Sequence, residues 1–432
     1  MRFARLAAAD EWALRGLEDF VDAARVELLQ LDYHRSRKLV APPHGIVEHP
    51  EFAVGFRQPL QALNRALFLE PELHVITDAG WGDAYACVEQ IAADLQAGGN
   101  RDVLVSAVRG SNVLPILDML LADGVDLQHA ETGAAWRTLK AQVLAADLKL
   151  GAGPLATALE EGARVVVAGS YDAAAPLAAA GRLQFGWQWL DFDLLAGAAA
   201  AAQAATARTR LGWHFGPQHA WGARPLVGEL AADATCRLHG EGAFPEEEAA
   251  GLGQWLRSDG AASMGMAHAD ARVDFSGIEC VRESAHVAGV RGARGAAPDG
   301  KWNLEIHYLA GYSTESFVAV DDCHAQTTEA VGAWLHARLA ALEDASTTVS
   351  IRLLGNGAGG TAWLILECRS KKRRPCQLFI DEARGLVSRS HGLLRWGAGA
   401  PELTIESRIW PARVPRAAVD LAVDTRPAHE WL

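Results

Sequence analysis

Apolar positions in the first half of the chain alternate between two spacings. Ala13, Leu14, Leu17, Phe20, Val21 and Ala24 recur as one face of a helix, and Val26 to Leu31 follows as an apolar run of strand length. The alternation continues with a helix marked by Leu60, Leu63 and Leu67, a strand Leu73 to Thr77, and a helix carrying Val88, Ile91, Ala92 and Leu95. Val103 to Val108 reads as a strand, Val113 to Leu121 as a helix, Leu155 to Leu159 as a short helix ended by Gly162, and Arg164 to Ala168 as a buried strand. Strands that are apolar throughout are buried on both faces, as in parallel sheets, and the helices between them supply the crossovers. Residues 1–225 are therefore expected to form a doubly wound parallel α/β domain.

The pattern changes near residue 225. Gly240 to Gly253 is glycine-rich and acidic, and residues 226–264 read as a loop-rich connection. Strand candidates then dominate: Arg272 to Val281, His286 to Val290, Trp302 to Leu309, Thr347 to Leu354, Thr361 to Cys368 and Cys376 to Ile380, with one helix over Gln326 to Leu342. Residues 265–432 are expected to form a smaller α+β domain.

Composition narrows the function classes. Half of the residues are hydrophobic, 22% are charged, and the net charge is −13. That sign disfavours nonspecific nucleic-acid binding, which needs clustered Lys and Arg, and attachment to an anionic membrane. Cys87, Cys236, Cys280, Cys323, Cys368 and Cys376 include no C-x-x-C spacing, so reduced thiols and a cytoplasmic location are expected. Leu194 to Ala207 is apolar but mostly alanine and too short for a membrane span, and reads as a buried helix.

Three motifs read as ordinary structure. Gly355, Gly357 and Gly360 spell G-x-G-x-x-G, but a strand follows where a dinucleotide site needs a helix, so this is a glycine-rich connection and assigns no cofactor. Lys371 to Arg374 reads as a solvated basic turn. His214 and His219, with Asp191 and Asp193 upstream, fit no metal spacing, and no metal is expected.

The informative signal is positional, because open parallel sheets bind ligands beyond the carboxyl ends of their strands. Four such ends lead into polar or glycine-rich segments: Asp32 to His34, Asp78 to Asp83, Arg109 to Asn112, and Gly169 to Asp172. Asp78 and Asp83 are candidates for acid–base work, with Asp172 as a third catalytic candidate. Arg109 suits a carboxylate or phosphate, and Gly80, Gly82 and Gly110 allow close backbone approach. Ser111, Asn112, Asp147, Lys149, Gly169 and Ser170 complete the expected wall. Asp83, Asn112 and Asp172 also stand where helix caps belong, so capping alone is the competing reading for each.

At these loops the chain resembles the acyclic terpene utilisation protein AtuA family. The resemblance rests on Gly162-Ala-Arg-Val-Val-Val-Ala-Gly-Ser-Tyr-Asp172 with Phe185 to Gly197, on Leu150-Gly-Ala-Gly-Pro154, on Val287 to Gly292 and on Trp410 to Arg416, in that family's order from about Val26 to Val419. It implies a part in breaking down acyclic terpenes such as citronellol and geraniol, through acyl-CoA esters. The expected partner is thus a branched small-molecule carboxylate or acyl-CoA. The chain departs from the family at Ser111, Asn112, Asp147, Lys149, Ser170, Ala173, Ala202, Ala205, Thr206 and His239 to Ala243, and begins with an Asp10 to Arg25 helix in place of a polar strand. Two readings follow: an enzyme performing a carbon–carbon, isomerase or hydro-lyase step, or a ligand-binding or partner subunit that kept the fold. Fourteen tryptophans, several in loop-like sequence, lead to an expected homo-oligomer.

Overall fold

The structure is a computed structural model that describes residues 1–7, 16–33, 52–206, 225–240, 246–260, 268–320, 330, 333, 337, 346–354, 362–390, 392–397 and 399–432. The helix expected over Gln326 to Leu342, the Gly355 to Gly360 connection, Cys323, and His214 and His219 lie wholly or mostly outside these residues.

Two sheets organise the chain. In the first, β1 (Arg2–Ala7), β2 (Leu28–Asp32), β3 (His74–Thr77) and β4 (Leu104–Arg109) share one direction. The chain then gives β5 (Val143–Lys149) to the second sheet and returns with β6 (Val165–Ala168), which inserts in parallel between β3 and β4. Val75 and Val105 both register with Val165. The apolar strands are buried on both faces as their composition requires. Leu29, Val75, Val105 and Val167 pack against helices Leu17–Ala24, Arg57–Ala62, Asn64–Leu69 and Ala84–Ala97. Leu28, Ile76, Val108 and Val166 face the opposite core with helices Ala152–Glu160, Ala175–Phe185 and Phe192–Ala204. That last helix is the alanine-rich stretch, and Leu195 to Ala204 is buried throughout.

The first sheet continues past residue 225. β7 (Val227–Leu230) and β8 (Cys236–His239) extend it antiparallel beyond β1. β9 (Arg272–Asp274) forms a small ribbon of its own, while β10 (Glu279–Arg282) and β11 (Val287–Arg291) finish this edge next to β8. β12 (Arg294–Ala296) pairs with β9.

The second sheet is antiparallel and built around β13 (Lys301–Val320). Its far half pairs with β15 (Ala362–Ser370), which carries β14 (Thr347–Leu354) outside it, and with β16 (Leu394–Trp396). Its near half lies between β5 and β17 (Thr404–Pro415). β18 (Ala422–Pro427) then returns to the first sheet, antiparallel to β4. A mixed α/β fold therefore holds, with a parallel-rich sheet first and an antiparallel sheet in the C-terminal part.

Four local expectations are corrected. Cys376 to Ile380 is helical, within Arg373–Arg389, because Cys376, Phe379, Ile380, Ala383 and Leu386 bury one face at helical spacing. Pro375 is tolerated there because the first turn needs no amide donor. Residues 246–255 are a helix rather than a loop, and Glu246, Glu247 and Glu248 sit at its positive end. The basic run is only half a turn, since Arg373 and Arg374 open the helix. Finally, the chain begins with a strand: β1 lies inside the first sheet between β2 and β7.

Candidate functional site at the carboxyl edge of the parallel strands

The carboxyl ends of β1, β2, β3 and β6 bring together a set of buried charges. Arg5, within β1, points its guanidinium at Asp32 at the end of β2, at 2.7 Å, and also donates to the Ala202 carbonyl. Gln30 donates to Asp32 at 2.9 Å, and the Tyr171 hydroxyl lies 3.3 Å from the same carboxylate. Asp78, directly after β3, accepts the Tyr33 backbone N–H. Burial, and next the Asp32 and Asp78 carboxylates, push the Tyr171 phenol upward, so it is a donor at any ordinary pH.

Asp172 follows β6 and is 6% exposed. Its carboxylate accepts His268 Nδ1 at 2.7 Å, the Ala269 N–H at 3.1 Å and the Ala174 N–H at 3.0 Å. His268 is 8% exposed. With Nδ1 committed to the carboxylate, Nε2 is the ring nitrogen that makes no hydrogen bond among the described residues. Burial opposes charge on both partners, but their attraction and hydrogen bond outweigh it: Asp172 is held below the usual carboxylate value and His268 above the usual imidazole value. Two residues on, Asp270 accepts the first amide of helix Ala152–Glu160, Ala152, at 2.7 Å. A side chain at Gly151 would collide with this carboxylate, so the approach requires glycine. Burial, and next the charge of Asp172, push Asp270 up to about 6.

The second sheet reaches the same place. Arg416, just past β17, donates to the Ala269 carbonyl and stacks over Trp302 of β13 at 4.2 Å. Residues 268–270 are thus gripped by both sheets.

The expected site residues divide into groups. Gly80, Ser111 and Gly169 converge: a side chain at Gly169 would meet the Ser111 hydroxyl and the Gly80 carbonyl, and one at Gly80 would meet Val167 and Ala84. Ser170 is fully buried and its hydroxyl has no partner among the described residues. Asp83 caps helix Ala84–Ala97, accepting from Tyr85 and Ala86. Asn112 also serves the backbone, bonding the Gly82 carbonyl and the Leu114 amide. Asp147 and Lys149 lie on β5, where Asp147 is buried and Lys149 pairs with Glu305 at 2.9 Å. Arg109 stacks over the Tyr85 ring at 4.4 Å, beside Asp424 of β18. Gly110 has φ +100° and packs on Asp420 and Leu421. The carboxyl edge therefore presents Asp78, Ser170 and Asp172 with a histidine that no motif marks. Its only local signal is a His-x-Asp pair within the small, apolar run Met264 to Ala271.

Among the described residues no cluster of His, Cys, Asp or Glu could hold a metal, and no helix is long and apolar enough to cross a membrane. Asp193 is engaged by Arg294 and the Gly295 amide, while Asp191 takes the Gln188 amide.

The fold and this edge define a mixed α/β protein with buried, paired charges where its parallel strands end. The model of the family described as acyclic terpene utilisation family protein AtuA matches residues 2–204. Over those residues the chain is similar to the AtuA family. The match includes β1, and it stops before the Val287 to Gly292 and Trp410 to Arg416 segments. No curated protein matches the chain. A crystal structure of an amidase of the hydantoinase/carbamoylase family from Burkholderia phymatum aligns at 19% identity over 23% of this chain and 29% of that one, with a TM-score of 0.18, too low to carry an argument.

Proposed function

We propose that this AtuA-like protein acts on a branched, terpenoid-derived carboxylate or acyl-CoA, with His268 as the proton-transferring group and Asp172 orienting it. The observation that carries this reading is the buried Asp172–His268 pair at the carboxyl ends of the parallel strands. A carboxylate on Nδ1 fixes the ring and supports the cation formed when Nε2 takes a proton. Proton abstraction beside a carbonyl, the first event in many isomerase and hydro-lyase steps, needs such a base. Tyr171, a neutral donor turned toward Asp32, lies on the same edge, and Ser170 adds a hydroxyl that bonds nothing among the described residues.

The test is exchange of the α-hydrogen of branched acyl-CoA esters with deuterated solvent, followed by NMR. Exchange that His268→Gln slows by roughly 10²–10⁴-fold, the usual contribution of a general base, is the expected result. Exchange untouched by that substitution contradicts the assignment.

A second reading has its own support. Asp83 and Asn112 are taken up by the backbone and Lys149 by Glu305, as in a subunit that binds without catalysis. On that reading branched acids or their CoA esters raise the melting temperature with no exchange. Light scattering on the same samples tests the proposed homo-oligomer.

A further inference from the structure

Outside the carboxyl edge, the second sheet holds a pair of thiols with no part in the function above. Cys368 lies near the end of β15, and Cys376 lies in the first turn of helix Arg373–Arg389, which packs on that sheet. Their sulfurs are 3.8 Å apart. Cys376 also donates to the Tyr312 carbonyl at 3.4 Å. We propose that Cys368 and Cys376 form a reversible disulfide site, closed by exchange with a small anionic disulfide and pinning the helix start to the sheet.

Geometry and sequence both bear on the exchange. The sulfurs are neighbours already, so closing the remaining distance to a bond of about 2 Å needs a shift of the first helical turn, not a refolding. That turn is the part of the helix most easily opened, because its amides lack intrahelical partners and Lys372 at the cap position gives no side-chain hydrogen bond. Both thiols are buried when the turn is closed, so its opening admits the reagent. Exposed Lys371, Lys372 and Arg374 surround the same turn and favour an anionic reagent over a neutral or cationic one. The hydrogen bond with Cys368 outweighs burial and lowers the Cys376 thiol, making it the attacking sulfur. Cys236 and Cys280 are the contrast: burial pushes each up to about 12 and keeps it protonated.

The chemistry balances without another redox partner. The Cys376 thiolate attacks one sulfur of glutathione disulfide, forming a mixed disulfide and releasing one glutathione. Cys368, losing its proton to solvent, attacks the Cys376 sulfur, forms the internal disulfide and releases the second glutathione. Two protein thiols are oxidised and one glutathione disulfide is reduced to two thiols.

The experiment is incubation of the full chain with glutathione disulfide, alkylation of the remaining thiols, and peptide mapping by mass spectrometry. The expected result is loss of two of the six thiols, a peptide linking Cys368 to Cys376, and their return on reduction. Cys368→Ser should instead trap glutathione on Cys376, and cystamine, a cationic disulfide, should react more slowly than glutathione disulfide. Six thiols still alkylated after treatment, or linkage of either cysteine to a different one, overturns the proposal. So does a Cys368→Ser protein that carries no adduct on Cys376, or cystamine reacting as fast as glutathione disulfide.

Discussion

The two sheets meet their burial costs in opposite ways. At the carboxyl edge of the parallel strands, charge is buried and paired: Arg5 with Asp32, and Asp172 with His268. The far half of the antiparallel sheet covers its inner face with Val318, Leu364, Leu366, Phe379, Ala383 and Leu386, and its Arg369–Glu367 pair keeps the arginine exposed. A buried ion pair is a weak way to gain stability, since desolvation offsets much of the attraction, whereas an apolar face gains directly from burial. The first arrangement is characteristic of a site and the second of a scaffold. The family match covers Arg5, Asp32 and Asp172 but ends before His268, and of the antiparallel sheet it includes only β5.

The contrast is broken most severely at Asp172. Asp172→Ala leaves His268 buried without its counter-charge and frees two backbone amides, so a loss of about 3–5 kcal/mol is expected in denaturant unfolding. A loss within experimental error would mean that the pair is not closed in solution. Phe379→Ala, in the second core, should cost a similar ~3–5 kcal/mol, but through a cavity and without pH dependence.

Asp270 sharpens the comparison by pH. Its folded value, about 6, lies above the ordinary carboxylate value of 3.8, so its contribution is fully present below about pH 4 and is lost as pH rises through 6. Asp270→Asn keeps an acceptor for the Ala152 amide and removes the buried charge. Relative to the parent it should gain on the order of 2 kcal/mol at pH 8, with no gain at pH 4. The Asp172–His268 pair runs differently. Lowered Asp172 contributes above the ordinary carboxylate value and fails as pH falls through its own, while raised His268 contributes below the ordinary imidazole value and fails as pH rises through its own. An equal effect of Asp270→Asn at both pH values would show that this carboxyl is not both buried and charged.

The smallest expected effect lies at Asp83. Asp83→Ala should cost about 1 kcal/mol, the worth of a helix cap, and leave ligand binding unchanged. Abolished binding with a normal melting temperature would return Asp83 to the catalytic role that its place in the sequence suggests.

The parallel strands are legible in the sequence because a short apolar run bounded by polar and glycine residues is what a strand buried on both faces requires. β1 is not, since Arg5 interrupts it with a charge whose partner, Asp32, is on the next strand. The helix Arg373–Arg389 is misread when Cys376 to Ile380 is taken alone; Ala383 and Leu386 complete its periodicity. At the site, Asp78, Gly80, Ser111, Gly169, Ser170 and Asp172 are legible as strand ends. His268 is not, because it meets Asp172 from 96 residues away, and nothing local in a sequence encodes that approach. Arg109 illustrates the converse: it ends a parallel strand, but its neighbours Tyr85 and Asp424 come from a helix and from the antiparallel edge strand.

The proposed role of His268 rests on a proton held between it and Asp172, and an NMR titration of the His268 imidazole in the native chain and in Asp172→Asn reads that proton directly. The expected midpoint lies above the ordinary imidazole value of 6.5 in the native protein and falls clearly in the variant. A midpoint at or below 6.5 that does not move when Asp172 is neutralised would contradict the pairing and the role assigned to it.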